Sequence, residues 1–356
     1  MTLKSTSTSV DVAKSAGVSQ ATVSMVFNGR QGRIRVSDAT RERVLAVAAE
    51  LGYSPHPLAQ ALRRRRSGTI GFIPRYHRTT PTAHPVPFLL SVHLARAAMH
   101  RGYHIVEVGA EDDPVVSDGE LVPFLQSRRV DGVIFDGPET VHDVEHVLAS
   151  GLPVVQVIRP QFTVPTATIT VDPAPGINAA IDHLVALGHR AIAFVGRGGP
   201  YPVDKMRLDS FVSALTRHAL SPAQDALHLI SSYTLDEAYT ATHSLLAQRE
   251  RPTAVFAAGD NLALGVLRAL HEAQVHVPDR MSVVSYDDVF ASDLYPPLSS
   301  VVQPLADVGE GAIALISELL DPPSSAEEGE RHLVLATHFI ARASTRPPAT
   351  GSVTRV

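Results

Sequence analysis

The sequence predicts a small all-α head of helix-turn-helix type followed by an α/β body of two doubly wound lobes, each on a parallel sheet. Three observations lead there. Residues 1–66 hold eleven Lys/Arg and four Asp/Glu, a balance of +7, whereas the whole chain is −5, which leaves −12 for the rest. The basic segment carries short apolar runs at helical spacing, and from Thr69 onward β-rich runs alternate with helical ones. At 356 residues the chain exceeds one ordinary core and suits two or three domains. A basic module joined to a larger acidic one is the charge pattern of a polyanion reader attached to something that controls it.

Composition removes several classes. No apolar run approaches the ~18 residues of a membrane span. The start, MTLKSTSTSVDVAK, lacks a signal-type apolar stretch. Cysteine is absent, so neither a disulfide framework nor a thiolate metal site is expected. A soluble cytoplasmic protein without a membrane partner is the expectation.

The head reads as three helices. The first runs from Ser9 to Ala16, with Thr8 or Ser9 as N-cap, Val12 and Ala16 on one face, and Gly17 as the turn. Ser19 caps the second, Gln20 to Phe27, whose inward face is Val23 with Val26 or Phe27. The third starts after Ser37 and runs to Leu51, with Val44, Ala48 and Leu51 inward and Gly52 as stop. Helix, short Gly-containing turn, helix is the helix-turn-helix unit, which lays its second helix in the major groove. Gln20 suits a bidentate contact to adenine, and Ala21 and Met25 suit a thymine methyl. Ser19, Thr22, Ser24 and the helix N-terminus suit phosphates. Thr8 and Asn28 complete the DNA-facing set expected within this unit. A protein-binding three-helix bundle is the alternative, which the +7 charge weakens. Residues 55–64 then offer a short helix start at Pro55 and Pro57, an apolar stripe and an arginine run. By charge alone this segment reads as a solvated linker.

The runs DVAKSAGVSQATVSMVFNG and RVSDATRERVLAVAAELGYSPHPLAQAL resemble the headpiece and hinge of the LacI/GalR family of bacterial transcription regulators. The resemblance continues, more loosely, to ARASTRPP near the C-terminus. It implies a headpiece over 1–66, a hinge helix over about 55–64, and a homodimer on a pseudo-palindromic double-stranded operator. Leu62 matches the leucine that wedges into the minor groove in this family, flanked by Arg63 and Arg64. Met25 replaces the Arg or His of well-known members, so the operator should differ from theirs. The basic stretch Arg30–Arg35 is longer than usual for the family.

In the body, strands are expected at 69–74, 104–109, 131–135, 153–158, 167–171, 190–196, 253–259 and 281–287. Helices are expected at 88–101, 175–187, 204–219, 235–249 and 260–273. The stretches ARAAMHRGYHIVEVG and LVALGHRAIAFVG echo one another, which points to two similar lobes. Ligands in such sheets bind beyond the carboxyl ends of the strands. The resemblance implies a periplasmic-binding-protein-like core over 67–348 that dimerises and holds a small-molecule effector between its lobes. It places Arg207 and Asp287 on the effector, with Gly259 and Asp260 beside them. By residue chemistry Asp260 reads as an N-cap. It also implies that Arg207→Ala abolishes the effector response while leaving folding and DNA binding largely intact. Gly259 stands where several sugar-binding members carry a polar amide, and Ile158 where a well-known member has an aspartate. With no tryptophan in the chain, an aromatic platform must be Phe or Tyr. Phe162 is taken as one, with Phe88, Tyr201, Tyr233 and Phe290 also weighed. The end, RASTRPPATGSVTRV, has no leucine heptads, so a disordered tail over 349–356 and no coiled-coil tetramer are expected.

Other chemistries are weaker. His142 and His146 have metal-ligand spacing without an evident third ligand. Gly196-Arg197-Gly198-Gly199 lacks the spacing of a phosphate loop, and no nucleophile elbow is present. The expectation is a repressor gated by a sugar or related metabolite, with no cofactor, no metal and no catalytic residue. An α/β enzyme and a solute-binding protein are the alternatives.

Overall fold

The computed structural model describes residues 7–28, 36–54, 66–74, 85–108, 121–127, 129–136, 145, 147–158, 166–199, 202–221, 226–322 and 331–349. The chain divides into two compact units, Met1–Ser67 and Gly68–Val356.

The first unit packs α1 (Ser9–Ala16), α2 (Gln20–Asn28) and α3 (Asp38–Glu50) around Val12, Val23, Val26, Val44 and Ala48. Thr8 and Asp11 form a reciprocal capping box on α1, and Gly17 ends the helix at φ 65°. Ser37 caps α3 through the Thr40 amide. Both Val26 and Phe27 turn inward, Phe27 meeting Tyr53 edge to face at 5.6 Å. Leu51, expected inward, is 37% exposed. The chain reverses at Gly52 and returns the Tyr53 amide to the Ala48 carbonyl at 2.8 Å, so Tyr53 takes the place expected for Leu51.

The second unit contains two six-stranded sheets. The first has strand order β11-β5-β4-β3-β1-β2. These strands are β1 Thr69–Ile73, β2 His104–Glu107, β3 Gly132–Asp136, β4 Val154–Ile158, β5 Ala167–Asp172 and β11 His332–Ala336. One face is buried under α4 (Pro85–His100) and the late helix α10 (Leu305–Leu320), with Phe72, Leu90, Ile169 and Ile316 in that core. The other face buries Val133, Phe135 and Val154 with Leu125 from α5 (Leu121–Gln126).

The second sheet has order β12-β10-β9-β8-β6-β7. Its strands are β6 Ile192–Arg197, β7 Leu227–Ile230, β8 Ala254–Ala257, β9 Ser282–Asp287, β10 Ser299–Val302 and β12 His338–Ile340. Helices α6 (Ala174–Ala186) and α7 (Pro202–Arg217) cover one face. Helices α8 (Leu235–Leu246) and α9 (Asp260–Glu272) cover the other. Both lobes are thus wound with helices on each face, the arrangement that buries a parallel sheet.

The eight strands and five helices expected in the body are all present, with ends shifted by a few residues. Among the described residues, four strands and the two helices α5 and α10 are additional. Edge strands β7 and β11 carry no continuous buried apolar run, and β10 is serine-rich, its hydroxyls paired inside the sheet. Strand β12 is antiparallel to β10, an exception to the parallel expectation. Helix α10 contains Gly309, which lowers its propensity. A Cβ there would come within 2.9 Å of the His93 Cβ, so close approach to α4 requires the glycine.

The chain crosses between lobes three times: from β5 to α6, from β10 to α10, and from β11 to β12. Thr337, at the third crossing, ties the first. Its Oγ1 reaches the Asp172 and Pro173 carbonyls at 2.9 and 3.1 Å and accepts the Gly176 amide at 3.0 Å. Gln303 lies at the second crossing, directly after β10. Among the described residues no helix is long and apolar enough to cross a membrane.

Candidate effector and operator sites

On α2, Gln20 and Ala21 are exposed, as is Ser19 before it, while Thr22, Ser24 and Met25 are partly exposed. They lie opposite the buried Val23 and Val26. Ser19 Oγ accepts the Thr22 amide at 3.1 Å, so it caps the helix as expected. The Gln20 amide group donates to Ser9 Oγ at 2.9 Å, which ties the start of α2 to α1. Thr8 holds its capping box, and Asn28 closes α2. Arg43 on α3 donates to the Ala16 carbonyl at 3.1 Å, securing the end of α1. Leu62, Arg63 and Arg64 fall outside the described residues, as do the rest of the hinge, the Arg30–Arg35 stretch, Tyr201 and Phe162.

In the second lobe, a buried polar chain lies at the carboxyl ends of the strands. Arg207, on α7, is 2% exposed. It donates to the Tyr233 hydroxyl at 2.9 Å, the Ala258 carbonyl at 2.7 Å and Asp287 Oδ1 at 3.4 Å. Its guanidinium carbon stands 4.0 Å from the centre of the Tyr286 ring. Burial opposes its charge, yet Tyr233, Asp287, Tyr286 and Asp204 together hold its pKa above the ordinary arginine value. Tyr233 donates in turn to Asp204 Oδ1 at 2.5 Å, and Asp204 Oδ2 accepts Arg197 Nε at 2.7 Å. On the other side, Gln303 donates to Asp287 Oδ1 at 2.5 Å. The structure therefore brings Arg207 and Asp287 together, and Gly259 with them. A Cβ on Gly259 would stand 3.4 Å from Asp287 Oδ2 and from the Tyr233 ring.

Asp260 is not an N-cap. Gly259 holds that position without a side-chain cap, and Asp260 is the first residue of α9. Its Oδ2 accepts the Val289 and Phe290 amides at 2.7 and 3.1 Å. Its Oδ1 is buried and without a hydrogen-bond partner among the described residues. Burial first, and the Asp287 carboxylate second, push Asp260 up to about 7, against the two amides. Asp288 accepts both terminal nitrogens of Arg342, at 2.6 and 2.9 Å. In the first lobe, Ile158 closes β4 at φ 64°. A β-branched residue is an outlier there, which marks local strain beyond a strand end. Phe88 lies on α4 and is 38% exposed.

Tyr233 is one of several aromatic candidates in the sequence, and Arg197 stands in its glycine-rich stretch; Asp204, Gln303 and Arg342 join them here without a sequence motif of their own. One signal was available: Asp204 and Arg207 fall on the same α7 face as Phe211 and Leu215, so charged residues interrupt an apolar stripe. Among the described residues no group of three or more His, Asp or Glu is placed to hold a metal ion. His142 and His146 lie outside them.

Comparison with known proteins agrees at both ends of the chain. Residues 8–56 match the family described as bacterial regulatory proteins, lacI family, and residues 181–345 match a periplasmic binding protein-like domain. Catabolite control protein A of Priestia megaterium is 30% identical over 322 residues, spanning 87% of this chain and 92% of its own length. The ribose operon repressor of Escherichia coli K12 is 31% identical over 321 residues, or 88% and 93% of the two chains. The lac repressor dimer bound to operator and the anti-inducer ONPF aligns with a TM-score of 0.76 at 28% identity, covering 96% and 100%. The complex of the regulator CelR with cellobiose aligns at 0.70 and 28% identity, covering 95% and 99%. A helix-turn-helix head on a two-lobed α/β body of this kind is a DNA-binding transcription regulator. The chain belongs to the LacI family of bacterial regulatory proteins.

Proposed function

We propose that this regulator represses transcription as a homodimer on a pseudo-palindromic operator, under control of a sugar or related metabolite held in the body. The observation that carries the reading is the buried Arg207–Asp287 pair at the strand ends of the second lobe, with Gly259 keeping space beside the carboxylate. A cation with a buried Nε that lacks a partner among the described residues, next to a carboxylate, suits a neutral polyhydroxyl ligand. The relatives named for ribose and solved with cellobiose favour the same class. Asp260 supports the site from below, and Phe162 remains a candidate wall.

In this reading residues 1–66 are the headpiece with the hinge over about 55–64, and 67–348 bind effector and partner subunit. Thr8, Ser19, Gln20, Ala21, Thr22, Ser24, Met25 and Asn28 face DNA from the head, and Leu62, Arg63 and Arg64 from the hinge. Gln20 must exchange its bond to Ser9 for a base edge. A protein of this kind works in the cytoplasm, and its relatives being regulators supports a non-enzymatic role. The effector alters operator affinity only through its differential affinity for two states of the body.

The test is selection of operator sequences in vitro with the purified protein, followed by gel shifts against salt with ribose or cellobiose present. A steep fall of affinity with salt and a symmetric selected site are expected. No DNA binding at low salt would revive the enzyme alternative. Leu62→Ala is expected to lower affinity for the selected site by tenfold or more, with a smaller loss on random DNA. Equal losses on both would end the wedge assignment.

A further inference from the structure

Four consecutive residues, from the last of β9 onward, are held by three different parts of the body. Asp287 faces Arg207 and Gln303. Asp288 is clamped by Arg342. Val289 leaves the second lobe and packs, partly buried, against the core cluster of the first. The Val289 and Phe290 amides both turn back to Asp260. Asp287 and Asp288 sit at φ 100° and 58°, in the region that side-chain-bearing residues rarely adopt. Such a conformation persists only where its surroundings over-determine it, and such strain is a mark of switch segments. Here Asp260, Arg342 and Gln303 supply that constraint, and Gln303 lies on a crossing between lobes.

We infer that Asp260 is a positioning residue: by holding the Val289 and Phe290 amides it fixes the 287–290 turn, which links the Arg207–Asp287 site to the first lobe. A ligand on Asp287 pulls at one end of a four-residue turn whose other end is seated in the neighbouring lobe. Asp260 is the fixed point between them. The turn then moves as one piece, and occupancy of the second-lobe site is passed to the first lobe without a contact of its own there. The inference rests on the effector reading above, but its structural core can be tested without any ligand.

Amide hydrogen exchange on the full-length protein is the direct measurement. Asp260→Ala should speed exchange of the Val289 and Phe290 amides at least tenfold and lower protection in the first lobe. Asp260→Asn keeps an acceptor oxygen and should restore both. Val289→Ala leaves the Asp260 bonds in place and should lower first-lobe protection alone, which carries the test if the Asp260→Ala chain does not fold. Gel shifts on the selected operator should show Asp260→Ala and Val289→Ala altering affinity in the same direction, the double variant matching the stronger single one. Unchanged exchange at 289 and 290, an unmoved first lobe in Val289→Ala, or additive effects on operator affinity would each overturn the link. A wild-type chain whose operator affinity neither ribose nor cellobiose changes would count against the effector reading, while the exchange data would still decide whether Asp260 holds the turn.

Discussion

Arg207→Ala is expected to destabilise the body by roughly 3–5 kcal/mol, the usual consequence of removing one partner from a buried ion pair. The sequence-based expectation was milder: a folded, DNA-binding chain that merely ignores its effector. Burial changes that. With the guanidinium gone, the Ala258 carbonyl and the Tyr233 hydroxyl each lose a donor. Asp287 keeps only Gln303 among these partners, and the face of Tyr286 loses the cation stacked on it. An orphaned buried acceptor costs more than a made hydrogen bond contributes, because the lost contact with water is not replaced. Lysine is a poor substitute, since one ammonium cannot reproduce a planar fork with three acceptors in different directions. Urea unfolding followed by circular dichroism measures the loss. A variant within about 1 kcal/mol of wild type would mean that the cavity admits water freely, and the milder expectation would stand.

The same contrast explains which parts of this protein were legible in its sequence. Helix caps are local chemistry: Thr8, Ser19 and Ser37 act within four residues of themselves, so spacing alone assigns Ser19, narrows the first cap to Thr8 or Ser9, and starts the third helix after Ser37. Buried parallel strands such as VVQVI and SVVSYD announce themselves by apolar content. Leu51 misled because helical periodicity assumes that the helix continues, whereas Gly52 reverses the chain and sends Tyr53 inward. Asp260 misled for a related reason. A carboxylate at a helix start suits capping, but its actual partners are amides 29 and 30 residues away, on a turn no local pattern could associate with it. Arg207 and Asp287 were placed through family resemblance. Their companions Asp204, Tyr233 and Gln303 converge only when β6, β8 and β9 lie side by side and α7 covers them. Position in the sheet order, which reverses at β6 with β7 on one side and β8 and β9 on the other, is a tertiary property.

Asp260 also makes the stability of the body depend on pH. Its pKa is pushed up to about 7 in the folded chain, from an ordinary value of 3.8. Between those two values the folded state holds a proton that the unfolded state has released. The favourable contribution is therefore complete below 3.8 and is lost as pH rises through about 7. At ~1.4 kcal/mol for each unit of difference, the effect amounts to a few kcal/mol. Burial opposes ionisation most and the Asp287 charge next, while the Val289 and Phe290 amides favour it. The Arg342 cation is close enough to be felt as well. Asp260→Asn removes the titration but retains an oxygen for both amides, so it isolates charge from geometry. The variant should gain stability relative to wild type as pH is raised from about 5 to about 8, by on the order of 2 kcal/mol. Urea unfolding of both chains across that range gives the difference directly. Parallel curves would mean that Asp260 is ionised throughout, held by its amides against Asp287. In that case the turn at 287–290 would be fastened by a full negative charge at every pH the cell visits, with no proton to exchange when a ligand engages Asp287.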